Sequence, residues 1–140
     1  MRALLDANVL ISAAIRPSGT PGLIISALLE RDAFELVLSP SIVTEVEEAL
    51  KLPKLRRYIG DPDEAVLWLA DLGALADLAN DTGRAKGVCR DPDDDAVVSA
   101  AVEGRAEVIV TGDADLLALE EYEGIEIVTP RAFLKMIEGS

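Results

Sequence analysis

Carboxylates that follow apolar segments are the side chains with the clearest potential for chemistry in this chain of 140 residues. Asp6 comes directly after the apolar run of residues 3–5, and Asp113 follows an apolar run that ends at Val110. Removing a carboxylate from water at the end of a buried segment costs free energy, so such a residue favours a functional role. Glu45 lies on the helix after the second predicted strand, the acids Asp93, Asp94 and Asp95 begin the helix that leads to the strand before Asp113, and Asp115 follows Asp113 by two residues.

The chemistry that these acids suggest is that of a bound cation. Carboxylates within a few ångströms of one another cannot all ionise without a counter-charge. The chain has no histidine, and few basic residues lie near these acids in the sequence. A hard divalent cation with oxygen ligands, Mg²⁺ or Mn²⁺, is therefore the best candidate. Such an ion serves phosphoryl chemistry, because it polarises a phosphate oxygen and lowers the pKa of a bound water.

Each acid taken singly also has a structural interpretation. Glu45 lies on a predicted helix that carries further glutamates, so it is compatible with plain surface charge. Asp113 or Asp115 could cap the short helix that follows. The acids of residues 91–95 begin a helix, where aspartates commonly cap the backbone. The functional interpretation is favoured because all these acids are expected at one edge of the predicted parallel sheet described below.

The composition excludes several classes of site. Without histidine, a Ser-His-Asp hydrolase, a histidine-ligated zinc enzyme and a histidine general base are ruled out. The single cysteine, Cys89, cannot form an internal disulfide or a zinc cluster. The longest apolar runs are too short to cross a bilayer, and Asp6 interrupts the first one, so we expect no membrane association, no signal peptide and a cytoplasmic location.

A local basic cluster contrasts with the overall charge. The formal net charge of −13 argues against a general nucleic-acid binder. Four basic residues nevertheless lie close together shortly after Glu45, where they could grip phosphate beside an acidic cleft or simply end a helix in solvent. They are Lys51, Lys54, Arg56 and Arg57.

Short strands alternate with helices along the chain, which predicts an α/β domain over residues 1–140 with a mostly parallel sheet and helices on both faces. Ligands bind beyond the carboxyl ends of the strands in such folds. Strands are predicted at 3–5, 35–38, 107–110 and 126–128. Helices are predicted at 9–15, 21–31, 40–50, 55–59, 62–72, 92–103 and 116–120 and from 130 onward, and residues 74–79 suit either an edge strand or a helix end.

Five segments together resemble the PIN-domain ribonucleases, specifically the toxin components of bacterial toxin–antitoxin pairs (VapC-like). Their order and spacing along essentially the whole chain carry the resemblance. The segments are LLDANVLISA at 4–13, SPSIVTEVEEALKLPKL at 39–55, CRDPDDDAVVSAA at 89–101, VIVTGDADLL at 108–117 and GIEIVTPRAFL at 124–134.

The resemblance implies a three-layer α/β/α sandwich and an endoribonuclease that depends on Mg²⁺ or Mn²⁺. It also implies a homodimer that a small antitoxin protein holds inactive. The family's four acids fall on Asp6, Glu45, Asp95 and Asp113, of which Glu45 would help to bind the metal or orient water. Asp94 stays open as the third acid, because the run of three aspartates lets the alignment slip by one. Supporting roles are implied for Asn8, Thr111 and Asp115.

Three alternatives to a ribonuclease remain. A catalytically idle PIN fold that acts as a binding module is disfavoured by the complete set of acids. A phosphatase of the haloacid-dehalogenase type with Asp6 as nucleophile requires a second acid where Asn8 stands, and also a later lysine. A phospho-acceptor receiver domain requires a lysine after its last strand, where residues 129–131 are Thr, Pro and Arg.

Overall fold

The computed structural model describes residues 1–81, 83 and 85–139 of the chain, which form one six-stranded sheet and the helices that cover it. The strands are β1 (Arg2–Leu5), β2 (Glu35–Leu38), β3 (Asp77–Leu78), β4 (Val108–Val110), β5 (Glu121–Tyr122) and β6 (Ile125–Val128). The helices are α1 (Ala7–Ile15), α2 (Thr20–Arg31), α3 (Pro40–Leu50), α4 (Arg56–Ile59), α5 (Pro62–Leu75), α6 (Pro92–Glu103), α7 (Ala114–Leu117) and α8 (Pro130–Glu138), with a 3₁₀ turn at Pro53–Leu55.

The sheet has the strand order β3-β2-β1-β4-β6-β5. All neighbouring strands are parallel except β5 and β6. The central strand β1 is covered on both faces, which explains its continuous apolar sequence. The predicted α/β class and the mostly parallel sheet between layers of helices are confirmed.

Proline and short polar residues set the helix starts. Ser39 accepts a hydrogen bond from the backbone N–H of Ile42, and Pro40 follows as the first helical residue of α3. Asp91 caps α6 in the same way, with Pro92 after it. Because α3 follows β2 and α6 precedes β4, both helices begin at the edge of the sheet where the parallel strands end.

The sequence predicted most elements within a few residues. The strand at 35–38 has the predicted bounds, and the segment 74–79 contains both a helix end and the edge strand β3. The short helix predicted at 116–120 is wrong in position: it covers Ala114–Leu117, because Asp113 caps its first backbone amides. The two-residue strand β5 was not predicted, and its antiparallel pairing with β6 makes the sheet mixed.

The first two helices pack closely at a sharp bend. A β-carbon placed on Gly22 would lie 2.0 Å from the carbonyl oxygen of Pro17, so only glycine fits there. Among the described residues, no single helix is long and apolar enough to cross a membrane. Helices α1 and α2 meet that criterion of length and composition only as a pair, and they are bent by 94°.

Candidate active site

Asp6 lies where β1 ends, directly beside the end of β4. The register pairs Leu5 with Val110, and the backbone N–H of Asp6 donates to the Val110 carbonyl at 3.0 Å. The Asp6 side chain is only 7% exposed and caps α1 by accepting from Ala7 N at 2.8 Å. Its other oxygen accepts from the Thr111 hydroxyl at 2.8 Å. Burial raises the pKa of Asp6, although these hydrogen bonds oppose the shift.

Asn8 and Thr111 connect Asp6 to the segment after β4. The Asn8 amide donates to Asp6 Oδ2 at 3.0 Å and to Thr111 Oγ1 at 3.3 Å, and Asn8 Oδ1 accepts from Gly112 N at 2.9 Å. Thr111 Oγ1 also accepts from the backbone N–H of Asp113 at 3.0 Å. These two residues therefore fix the orientation of Asp6 relative to Asp113.

Asp94 completes the cluster from the first turn of α6. Its side chain is 7% exposed, although it carries a carboxyl group. One carboxylate oxygen from each of Asp94, Asp113 and Asp115 lies within 4.8 Å of the other two. Burial, followed by the charge of Asp113, raises the pKa of Asp94 to about 6. Asp94 therefore binds a proton more readily than an isolated aspartate does, because its charged form is buried and lies close to another carboxylate.

Asp95, the first choice for the third acid, does not join this cluster. Its carboxylate accepts from Gly87 N at 2.9 Å and from Cys89 N at 2.7 Å. These backbone hydrogen bonds, that of Cys89 first, lower the pKa of Asp95. The structure therefore brings Asp94 to the other acids and turns Asp95 toward the loop before α6.

Glu45 lies on α3 and lines a cleft of about 450 Å³. Asp6 lies on the same cleft, as does Asp93 at the start of α6. Partial burial, followed by the charges of Asp6 and Asp93, raises the pKa of Glu45. The cleft therefore places Glu45 within electrostatic reach of Asp6. The sequence favoured Asp93 as a cap or dipole partner at the start of α6, and the structure places it on the cleft.

The four basic residues after α3 are all exposed. Lys51 forms an ion pair with Glu47, four residues earlier on α3, at 3.0 Å. The Arg57 guanidinium lies 5.2 Å from the centre of the Tyr58 ring. Lys54 and Arg56 belong to the 3₁₀ turn and α4, on the segment that follows the helix of Glu45.

A further basic residue, Arg90, was missed by sequence reasoning. It immediately precedes Asp91, the cap of α6, and its guanidinium lies 4.0 Å from the carboxylate of Asp115. Its neighbour Cys89 is half-buried, and burial followed by the nearby Asp95 raises the pKa of the thiol to about 12. The only sequence signal for Arg90 was its position next to the cap of an acidic helix.

The donor set fits a hard divalent cation. The side chains that meet at this edge are carboxylates, with neither imidazole nor thiolate among the cluster of Asp94, Asp113 and Asp115. Oxygen ligands of this kind suit Mg²⁺ and Mn²⁺. Burial and the neighbouring charge of Asp113 raise the pKa of Asp94, and a cation between these acids would offset the charge repulsion.

Comparison with known proteins gives a family, a relative in sequence and a similar fold. A sequence model of the PIN domain matches residues 2–115. An uncharacterized protein of Methanocaldococcus jannaschii, MJ1680, is 32% identical over 146 aligned residues, which cover 99% of this chain and 92% of the relative. A chain in the crystal structure of VapBC2 from Rickettsia felis, bound to a DNA fragment from their promoter, has the same fold. The TM-score is 0.62 at 12% identity, over 92% of this chain and 98% of that one.

Proposed function

The chain belongs to the PIN domain family, and we propose that it is an endoribonuclease that hydrolyses RNA phosphodiester bonds with a bound Mg²⁺ or Mn²⁺ ion. The observation that carries this proposal is the meeting of Asp6, Asp94 and Asp113 at the carboxyl ends of β1 and β4. Three carboxylates from separate elements are crowded there, and two of them are largely buried. Crowding of this kind favours a cation between the acids.

Asp94 and Asp113 are the residues that we propose hold the ion, with Asp115 beside them and Asp6 contributing directly or through water. Asp94 thus takes the role that the sequence analysis gave first to Asp95. When bound, the ion supplies Lewis acidity toward a phosphate oxygen and lowers the pKa of water. The closeness of Asp94 to Asp113 and Asp115 supports this assignment, because a cation between these carboxylates offsets their mutual repulsion.

The protein's own groups orient the reactants. Asn8 and Thr111 hold Asp6 in one position through hydrogen bonds of 3.0 and 2.8 Å. Glu45, which lines the cleft with Asp6, orients the attacking water by accepting a hydrogen bond from it. The water adds to phosphorus and releases one proton to solvent, the P–O3′ bond breaks, and the departing 3′ oxygen takes a proton from solvent.

The exposed basic cluster extends the cleft toward the RNA backbone in this proposal. Lys51, Lys54, Arg56 and Arg57 follow the helix that carries Glu45, so a strand that crosses the cleft can continue over them. Their exposure supports this role, because contacts with phosphate need basic side chains that water still reaches.

The proposal also includes a biological partner. The VapBC2 structure supports a toxin of a toxin–antitoxin pair, together with the resemblance of the five sequence segments. We therefore propose a small antitoxin protein as inhibitor and a homodimer as the working form.

The nuclease proposal is tested by neutralising single acids. We expect each of Asp6→Asn, Asp94→Asn and Asp113→Asn to reduce Mg²⁺-dependent cleavage of single-stranded RNA by about two orders of magnitude or more. Asparagine keeps the shape of the aspartate side chain and removes its charge, so a loss of cleavage shows that the charge is required. Cleavage is followed with a fluorescent oligonucleotide, and chelation with EDTA should abolish it in the wild type.

Asp71→Asn provides the matched control, because Asp71 is exposed on α5, away from the cleft. It should cleave like the wild type. Full activity of Asp94→Asn would remove Asp94 from the mechanism, and wild-type cleavage that persists in EDTA would reject the metal.

The toxin proposal is tested in cells. Expression of the wild-type chain should arrest growth, whereas Asp94→Asn should not, and co-expression of the proposed antitoxin should restore growth. Light scattering of the purified chain reports the oligomeric state. Growth that is unaffected by an active wild-type enzyme would reject the toxin role and leave the nuclease role standing.

A further inference from the structure

Two side chains of α6 hold the loop of residues 85–90 against the helix. Asp95 accepts from Gly87 N at 2.9 Å and from Cys89 N at 2.7 Å. Ser99, one turn further along α6, is 1% exposed; its hydroxyl accepts from Ala85 N at 2.8 Å and donates to Ala85 O at 3.3 Å. The main chain of the 85–90 loop is thus fixed at three residues by two side chains of one helix face.

This attachment determines where Arg90 lies. The 85–90 loop is irregular, and it passes through a left-handed conformation at Gly87, with φ of +68°. Arg90 comes directly after Cys89, which Asp95 holds, and directly before Asp91, which caps α6. The residue is therefore anchored on both sides. Its guanidinium reaches out to within 4.0 Å of Asp115, at the edge of the acid cluster.

Arg90 has the properties of a phosphate-binding group. Its side chain is 89% exposed, so it loses little hydration free energy when it exchanges one anion for another. The ion pair with the half-exposed Asp115 is long, and a phosphate can replace that carboxylate. A guanidinium donates to two phosphate oxygens at once, which gives geometric definition as well as charge.

Resting on the ribonuclease function proposed above, we propose that Arg90 binds a phosphate of the RNA substrate beside the scissile bond, and that Asp95 is a positioning residue that places Arg90 through the 85–90 loop. Asp95 then acts through hydrogen bonds to the loop backbone and not as a metal ligand. The chain has a net charge of −13, which repels a polyanionic substrate. A positively charged side chain beside the acid cluster reduces this repulsion locally.

Substitution of Arg90 tests the contact with phosphate. Arg90→Ala should raise KM for an RNA oligonucleotide about tenfold with little change in kcat, and Arg90→Lys should give a smaller rise. RNA binding should also depend less on salt: the slope of log K against the logarithm of salt concentration should be smaller in magnitude by about 0.7. Arg105→Ala is the matched control, because it removes the same charge beyond the opposite end of α6. A KM for Arg90→Ala equal to that of Arg105→Ala would overturn the contact.

Substitution of Asp95 tests the positioning role. Asp95→Ala should raise KM as Arg90→Ala does and keep most of kcat, and the double variant should bind RNA no more weakly than Arg90→Ala alone. The thiol of Cys89 should react faster with a thiol reagent in Asp95→Ala, because its backbone anchor is lost. Loss of kcat with unchanged thiol reactivity would overturn the positioning role in favour of metal binding, and additive KM effects would overturn the coupling to Arg90.

RNA affinity measured in EDTA by fluorescence anisotropy separates this inference from the nuclease proposal. Weaker binding by Arg90→Ala than by Arg105→Ala supports the phosphate contact even if the wild type cleaves no RNA. Equal binding by these two variants overturns the contact, while a loss of cleavage confined to Asp94→Asn and Asp113→Asn would leave the nuclease proposal intact.

Discussion

Two adjacent aspartates with opposite environments show how finely the site depends on single residues. Successive residues of an α-helix point about 100° apart, so neighbours on α6 face different surroundings. Asp94 precedes the fully buried Val98 by one turn and lies among the acids. Asp95 precedes Ser99 by one turn and faces the same loop as Ser99. The run of three acids concealed this difference, because residue type alone distinguishes none of them.

Asp94 gives the apo protein a specific dependence on pH. Its pKa in the folded state, about 6, lies above the ordinary value of 3.8, so the folded state binds more protons between these values than the unfolded state does. The free energy of unfolding should therefore decrease as pH rises from 4 to 6. Asp6 and Glu45 act in the same direction, because their pKa values are also raised. Thermal melts in EDTA across this range measure the effect.

Asp94→Asn provides the comparison for this pH dependence. The variant lacks the titrating carboxyl, so its melting temperature should fall less steeply over the same range. The affinity of the wild type for Mn²⁺ should rise with pH through 6, because protons and cations compete for Asp94. Parallel melting curves for the two proteins would contradict the assignment of the shift to Asp94.

At the scale of secondary-structure elements, the sequence predicted the strands and helix starts that depend mainly on neighbouring residues. The apolar runs gave β1, β2, β4 and β6, and prolines gave the starts of several helices, including α3 and α6. β5 was missed because it has two residues and pairs through a tight turn at Glu123 and Gly124, both with positive φ. Such a turn favours glycine or asparagine, and Gly124 was its only signal.

The sequence predicted only those features of the site that follow from the parallel pairing of the strands. Asp6 and Asp113 lie at the same edge because their strands are parallel neighbours, which the alternation of strands and helices indicated. The rotation of α6 and the course of the 85–90 loop depend on tertiary packing. For this reason neither the choice of Asp94 nor the position of Arg90 followed from the sequence.

Two helical glycines should respond in opposite ways to the same substitution. At Gly22 a β-carbon would lie 2.0 Å from the Pro17 carbonyl oxygen, so Gly22→Ala should destabilise the fold by about 1–3 kcal/mol. At Gly73, within α5, no atom of the described residues lies within 4 Å of such a carbon. Gly73→Ala should therefore stabilise the fold by about 0.5–1 kcal/mol, since alanine restricts the unfolded chain.

Urea unfolding of both variants measures the difference between these glycines. A Gly22→Ala variant as stable as the wild type would mean that the close contact with Pro17 is not what requires glycine at position 22, and a destabilised Gly73→Ala would contradict the prediction for α5. A lower m-value in Gly22→Ala would instead indicate that the bend between these helices has loosened.

At the scale of the whole molecule, the acids at the two ends of the parallel strands have different partners. At the edge where β1 begins, Arg2 donates to Glu35 at 3.0 Å, to Asp77 at 2.6 Å and to the Gly104 carbonyl. At the opposite edge, within the part of the chain that the structure describes, the cluster's only ion pair is Arg90 with Asp115 at 4.0 Å. Among the described residues, the fold therefore pairs the acids at the first edge with Arg2, while the acids at the opposite edge have one long ion pair.

Divalent cations should therefore stabilise the whole fold through this one edge. An ion that binds only the folded state at a hundredfold its Kd adds about 2.7 kcal/mol, which is several degrees in Tm at this chain length. Mg²⁺ or Mn²⁺ should raise the Tm of the wild type and of Asp71→Asn, and the rise should be lost in Asp94→Asn and Asp113→Asn. In EDTA, Asp94→Asn should melt above the wild type, because a crowded buried carboxylate has been neutralised. An equal rise with NaCl at matched ionic strength would show that general screening of the −13 charge is responsible, and the metal centre would then be rejected.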